Sequence, residues 1–450
     1  MFKTNAAHAH KDVEAPESAE GQKQSRAFRN DLWKYLVDAC IIVAMGALLF
    51  WGASTQFWNR SNDATRYQCY AIAFWQGEAG LYALGLDTNP KSQCAFLDYS
   101  SSTKLIQKMH ALPPEYPLLT LAPFSLALIA PTQWYQVAFA LWMAIVAAII
   151  YIVLRRYRSM SAAIVFAIYL ALGSWATALG RFDLIPAGLT LGAVILAGKT
   201  RWKWAFALLA LATLLKFYPV VLIPPFLIAQ QMQTKGRWFA WRRWSALGVF
   251  VAICVVVFGV SLILNVADTL VPFSYFVNRP IQIESFPATL LWLGNFLGYP
   301  VQYKFVYQSL NFLSLLSHKI SLLFNILLGA GLLFTWWLQW RGKIDIYITS
   351  LLTVLILLVT GKVFSPQYLI WAAPLVAYVG QRNWKWLVSW SSVAILTTII
   401  FPFMYADFQY IETFYPVILV RDLIILVITC VLLFNAARTT PLVVQQSAEN

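Results

Sequence analysis

Ionisable residues that could do chemistry are concentrated at a few points of an otherwise apolar chain. Asp63 opens the run Asp63-Ala-Thr-Arg66-Tyr67-Gln-Cys69-Tyr70, whose pattern predicts an amphipathic helix with a carboxylate in its first turn. The helix dipole favours an acid there, so an ordinary N-terminal acid is one reading. Arg66, one turn on, would keep that carboxylate ionised, which suits a base for a hydroxyl group or a positioned ion pair. Arg181-Phe-Asp183 stands at the edge of an apolar segment with Pro186 just inside it, and reads from its residues as an ion pair closing a short turn. Lys216, in Leu214-Leu215-Lys216-Phe217-Tyr218-Pro219, either snorkels to the membrane interface or lines a cationic pocket. The proline three residues on breaks the helix and frees backbone groups that must line something polar.

Three further stretches carry charge without an evident apolar reason. Asn278-Arg279-Pro-Ile-Gln282-Ile-Glu284-Ser285 holds an arginine and a glutamate five residues apart in a loop, as solvated charges or as part of a site. Lys362-Val-Phe-Ser365-Pro366-Gln367-Tyr368 combines a cation, a helix-breaking proline and an amide at the end of an apolar run. Arg421 and Asp422 lie inside the last apolar run. Neighbours in sequence do not face each other on a helix, so each is expected to pair with a different neighbouring segment. Cys69 and Cys94 could join in an oxidising compartment or remain two thiols.

Several chemistries are missing from the pattern. The four histidines are scattered, with no zinc spacing. Glycine-rich nucleotide loops are absent, as are a nucleophilic serine elbow and a Cys/His pairing. No metal and no cofactor is expected.

The elements that must hold these residues are mostly membrane helices. Hydrophobic residues make up 60% of the 450-residue chain and charged residues 12%, against roughly 25% charged in a soluble domain. The mean hydropathy is +0.64, so the expected fold class is an all-α polytopic membrane protein. The formal charge of +14 does not point to nucleic acid, because its basic residues sit in short runs between apolar segments and not on one soluble face.

Those runs serve instead as topology signals. They are Arg155, Arg156 and Arg158; Lys199, Arg201 and Lys203; Lys235, Arg237, Arg242 and Arg243; Arg341 and Lys343; and Arg382 and Lys385. All five fall in the cytosol if residues 116–131, about 16 in number and interrupted by Pro117 and Pro123, lie along the outer surface as a juxtamembrane helix. Twelve spans then follow, at about 35–56, 134–154, 161–179, 184–198, 203–216, 218–232, 245–265, 319–340, 345–361, 368–380, 386–402 and 417–434. Both termini are expected in the cytosol of a multi-pass plasma-membrane protein. Residues 1–34 read as a disordered tail, 35–435 as the membrane domain with a first outer loop at 57–133, and 436–450 as a second tail.

The constellation resembles the type-C membrane glycosyltransferases, above all the bacterial polyprenyl-phosphate-mannose-dependent family, glycosyltransferase family 87, and its uncharacterised relatives. The residues that carry the likeness are the early Asp63, Glu115-Tyr116-Pro117, Arg181-Phe-Asp183, Lys216-Phe-Tyr218-Pro219, Arg279 to Ser285, and Ser365-Pro-Gln367-Tyr368. Tyr116-Pro117-Leu118 departs from the second proline of many relatives, and the loop from Tyr82 to Pro113 is enlarged.

The resemblance implies an inverting transfer of a hexose, with mannose the family's sugar, from a polyprenyl-phosphate donor to a lipid or glycan acceptor hydroxyl on the extracytoplasmic face. Under it Asp63 is the catalytic base and Asp183 a second acid. A lipid phosphate leaving group needs cations at its developing charge, which Lys216, Arg279 and Lys362 would supply. Arg66, Tyr67, Glu115, Tyr116, Arg181 and Tyr218 would contact substrate, together with Gln282, Glu284, Gln367 and Tyr368. The partners are the lipid-linked donor, the acceptor and membrane lipids. A transporter or lipid flippase is the competing class, but it would need charges near the midplane and on both sides, whereas here they gather on one.

Overall fold

The computed structural model describes residues 17–58, 62–86, 93–98, 110–234, 239–406 and 413–440. Lys235 and Arg237, much of the enlarged loop, and most of the C-terminal tail lie outside these residues. Two compact units divide the chain, Met1–Ala44 and Met45–Asn450. The described part of the first is the opening of helix α1 (Glu17–Ser54), which begins within the segment expected to be tail.

Local chemistry sets the start of the next helix. The Asn62 side chain accepts a hydrogen bond from Thr65 N at 2.7 Å, capping α2 (Asp63–Ala83), and Asp63 occupies its first turn, where an anion meets the positive end of the dipole. Gly77, at φ 64°, interrupts the helix in a conformation glycine adopts without cost. Cys69 and Cys94 form a disulfide, which resolves the open alternative and ties α2 to the short turn at Ala95–Asp98. Closing a loop of 25 residues is worth about 3 kcal/mol through the unfolded state. Cys69→Ser is therefore expected to lower the thermal midpoint of the purified protein, and dithiothreitol should lower the wild-type midpoint to match.

The segment expected along the surface contains α3 (Leu121–Leu126), in an apolar helical stretch Leu118–Ile129 too short to cross a membrane. Then come α4 (Tyr135–Tyr157), α5 (Met160–Gly173), α6 (Leu184–Gly198) and α7 (Trp202–Leu215). Helix α7 stops at Lys216, whose backbone is extended at φ −153°, ψ 131°. A 3₁₀ turn at Tyr218–Leu222 carrying Pro219 leads into α8 (Ile223–Gln233), so the proline breaks the helix where the sequence indicates. Helix α9 (Trp241–Leu264) follows.

The connection between the spans expected at 245–265 and 319–340 is folded, and it adds one small sheet to the helical architecture. It comprises α10 (Val266–Asn278), strand β1 (Ile281–Gln282), α11 (Phe286–Asn295), and a hairpin of β2 (Gln302–Val306) and β3 (Ser309–Leu313). The strands form an antiparallel sheet in the order β1-β3-β2, with Ile281 opposite Phe312 and Val306 opposite Ser309. Ile281, Ile283 and Phe312 bury against Tyr415 and Ile418, which anchors the small sheet to the helices.

The chain ends in α12 (Ser317–Trp340), α13 (Ile346–Thr360), α14 (Leu369–Gly380), α15 (Trp384–Thr398) and α16 (Tyr415–Arg438). Each of the twelve segments expected to span contains a helix. Six helices among the described residues are long and apolar enough to cross a membrane: Trp33–Ser54, Thr132–Tyr157, Trp241–Leu264, Ser317–Trp340, Trp384–Phe403 and Tyr415–Arg438. Helices α5 to α8, α13 and α14 have 11–15 residues, about 17–23 Å at 1.5 Å per residue, short of the ~30 Å hydrocarbon core. The protein is an all-α polytopic membrane protein with one small sheet.

Candidate functional site

Asp63 is the hinge of the charged cluster. Its two carboxylate oxygens face different arginines: Arg66 Nη1 lies 3.1 Å from Oδ1 and Arg181 Nη2 lies 2.7 Å from Oδ2. The other guanidinium branch of Arg66 pairs with Glu115. Burial works to raise the Asp63 pKa, but Arg181, Arg66 and Lys216 together hold it below the ordinary carboxylate value. The group is ionised at neutral pH, and two of the roughly four lone-pair sites of a carboxylate remain for a ligand.

Lys216, released by the break after α7, pairs with Asp183 at 2.5 Å. Asp183 is 1% exposed and also accepts from Trp371 Nε1 at 2.6 Å. The ammonium lies 5.1 Å from the Trp371 ring and 5.5 Å from that of Tyr368. Tyr218 stacks on one side of Trp371 at 4.3 Å, and Tyr368 packs against it at 3.8 Å. A cation beside a stack of ring faces can meet both a phosphate and a sugar.

Arg279 and Lys362 come together by another route. Gln282 N donates to Lys362 O at 2.9 Å, joining β1 to the loop after α13, and Lys362 Nζ donates to Val277 O at 2.9 Å. Burial, then the neighbouring positive charge of Arg279, lowers the Lys362 pKa. Neither side chain has a carboxylate within ion-pair reach among the described residues.

Glu284, just beyond β1, accepts from Tyr405 OH at 2.7 Å, and its other oxygen is 3.7 Å from Arg421 Nη1. Arg421 is fully buried in α16, where its Nε donates to Asp422 Oδ1 at 2.8 Å and its Nη2 to Glu284 O at 2.5 Å. The expectation that Arg421 and Asp422 pair with separate segments is thus corrected. The long guanidinium side chain curls back to its neighbour while its far end crosses to the loop, a reach that backbone spacing alone does not limit.

These groups converge on one cavity of about 480 Å³. Asp63, Arg66, Arg181 and Lys216 line it, with Glu115, Tyr116 and Tyr218. Arg279, Gln282, Glu284 and Lys362 line it too, with Gln367 and Tyr368. Two expected contacts are not among the lining residues. Asp183 stands behind the wall, holding Lys216, and Tyr67 is a buried ring stacked on Phe124 at 4.2 Å. The cavity also takes in residues the sequence reading passed over: Trp371, Tyr275, Tyr405 and the hairpin tip Tyr307-Gln308. Among the described residues no group of three or more His, Cys, Asp or Glu side chains could hold a metal ion.

The profile of glycosyltransferase family 87 matches residues 116–366, more than half of the chain. The chain belongs to glycosyltransferase family 87. It is a membrane glycosyltransferase, and the family placement decides against a transporter. The matched segment contains Arg181, Lys216, Arg279, Glu284 and Lys362, while Asp63 and Gln367 fall outside it. Among curated proteins none matches the sequence.

Proposed function

We propose that this glycosyltransferase moves a hexose from a polyprenyl-phosphate donor to an acceptor hydroxyl on the extracytoplasmic face, with inversion and with Asp63 as the base. The observation that carries the proposal is the shared cavity, where an ionised carboxylate lies with Lys216, Arg279 and Lys362. Two of those cations lack a carboxylate partner among the described residues and so suit a phosphate. The acceptor oxygen attacks the anomeric carbon from the face away from the phosphate and gives its proton to Asp63. The carbon–oxygen bond to phosphate breaks, and the lipid monophosphate leaves with the electron pair toward the cations. No proton is needed on that leaving group. Mannose is the sugar suggested by the family likeness.

The arginines on both sides of Asp63 make it a weaker base than a free carboxylate. They also fix its direction, and proton transfer is needed only as the new bond forms, when the hydroxyl has become acidic. Asp183 acts in this scheme through Lys216, as a positioning residue and not as a second acid.

The side of the membrane rests on two features. The disulfide of α2 suits an oxidising compartment. Helices α6, α7, α13 and α14 each carry a cavity-end residue at one terminus and a basic run at the other, as in Arg201 to Lys216 along α7. Basic runs favour the cytosol, which supports a cavity on the opposite face and, with the expected spans, both termini inside.

The direct test incubates purified protein with several polyprenyl-phosphate hexoses and follows donor hydrolysis and transfer by mass spectrometry. Release of polyprenyl phosphate is expected with at least one of them; no reaction with any lipid-phosphate sugar would overturn the donor class. A pH profile adds a second check. Burial raises the Glu284 pKa to about 7, against the lowering pull of Arg421 and Tyr405. Ionised, Glu284 accepts charge-assisted hydrogen bonds from sugar hydroxyls; protonated below about 7, it keeps only neutral, weaker acceptor capacity and turns one oxygen into a donor. Activity should therefore rise as pH increases through about 7, and Glu284→Gln should remove that limb. An unaltered profile in the variant would count against a substrate contact for Glu284.

A further inference from the structure

A second cavity, of about 530 Å³, shares a wall with the first. The common residues are Asp63, Arg66, Arg181, Phe305, Gln308 and Phe401, so the carboxylate faces both spaces. Their chemistry differs. The first holds three cations beyond the arginine pair, whereas among the described residues the second has no charged lining residue besides Asp63, Arg66 and Arg181. Those three are already joined to one another, and Arg66 also to Glu115. A phosphate entering the second cavity would find no uncommitted cation among its described lining residues.

Amides and rings take the place of charge. Gln56, Asn62, Gln93 and Gln136 line the second cavity with Phe57 and Phe96. Asn62 Nδ2 donates to Gln56 O at 2.6 Å and to Gln136 Oε1 at 2.8 Å, and Gln136 Nε2 donates to Thr65 Oγ1 at 2.8 Å. Gln93 reaches Gln68 at 3.4 Å. These amides are therefore ordered before any ligand arrives. The dividing hairpin turns through Tyr307 and Gln308, whose φ of 53° and 54° are those a two-residue hairpin turn requires at both central positions, though the left-handed region is costly for side chains of that size.

We propose that the second cavity binds the acceptor, and that the acceptor presents a neutral sugar. A sugar ring offers hydroxyls that both donate and accept, as amides do, and apolar C–H faces that lie against aromatic rings. Its hydroxyl would approach Asp63 from the amide side while the donor's anomeric carbon approaches from the cation side. The proton then passes to Asp63, the new carbon–oxygen bond closes across the shared wall, and the phosphate departs into the first cavity. This assignment rests on Asp63 being the base.

The test reads binding and not turnover. Full-length protein in lipid nanodiscs is photolabelled with a diazirine-bearing octyl hexoside, and the labelled peptides are mapped by mass spectrometry. Label is expected on peptides containing Phe57 or Gln136, competed by plain octyl hexoside and not by octyl phosphate. Gln136→Leu and Gln308→Gly should each reduce it at least tenfold; glycine suits the left-handed position at 308, so loss there does not come from misfolding. Competition by soluble oligosaccharide as strong as by octyl hexoside would identify a water-borne glycan, and a requirement for the alkyl chain a glycolipid; both support the proposal. Competition by octyl phosphate, equal labelling in both variants, or label confined to peptides with Lys216 or Lys362 would overturn it. If labelling behaves as expected while Asp63→Asn keeps full transferase activity, the assignment of the base fails and the carbohydrate site stands.

Discussion

Asp63→Asn should reduce sugar transfer by about 10²–10⁴-fold, the usual contribution of a positioned general base, while the protein remains folded. The substitution keeps the side-chain volume and one oxygen that can still accept from Arg66 or Arg181. Arg66 retains Glu115 as an ionic partner, so the larger structural loss falls on Arg181, whose described ion pair is with Asp63. Donor binding should change little, because Lys216, Arg279 and Lys362 are untouched. The expected pattern is therefore a lower kcat with a nearly constant KM for the donor, which marks an interaction needed mainly in the transition state. Thermal unfolding of the same preparation separates this outcome from misfolding. Wild-type turnover in the variant would remove Asp63 from the mechanism.

What could be read from the sequence, and what could not, follows the physics of each signal. The apolar runs were long and nearly continuous, so every expected span holds a helix. Pro219 marked the break that frees Lys216, because a missing N–H and a ring clash act locally. Most of the expected site residues share one cavity, since a charge kept beside a membrane needs a partner or a purpose, and that constraint is visible one residue at a time.

The failures involve contacts between distant segments. The β2–β3 hairpin turns on Tyr307-Gln308 in place of the Asn-Gly or Asp-Gly pairs that announce such turns, and the run stayed part of the stretch between two expected spans. Trp371 sits in an apolar stretch like any core residue, and only the fold shows its indole N–H meeting Asp183. Tyr67 and Asp183 were placed at the substrate by likeness, whereas packing sets one in an aromatic cluster and the other behind Lys216. Helical spacing argued against a pair between Arg421 and Asp422, yet the arginine's length overrides spacing.

The pair of Lys216 with Asp183 offers the second large effect, and it can separate structure from function. Removing one member of a buried ion pair leaves the other uncompensated and costs about 3–5 kcal/mol, so Asp183→Asn alone should lower the thermal midpoint and the yield of folded protein. Removing both charges in Asp183→Asn/Lys216→Met takes away that penalty, because methionine fills a similar channel beside Trp371 and Tyr368 without a charge to satisfy. The double variant should therefore recover most of the lost stability. Donor chemistry should not recover with it. The Lys216 ammonium has three donors, of which Asp183 engages one; the others are available to the phosphate as its charge develops, and loss of such a donor lowers kcat by about 10²–10³-fold. Hydrolysis of the lipid-phosphate sugar, measured with no acceptor present, is the appropriate readout because it isolates donor activation. A stable double variant that cleaves donor at the wild-type rate would reduce Lys216 to a structural partner of Asp183 and leave Arg279 and Lys362 as the phosphate's only cations.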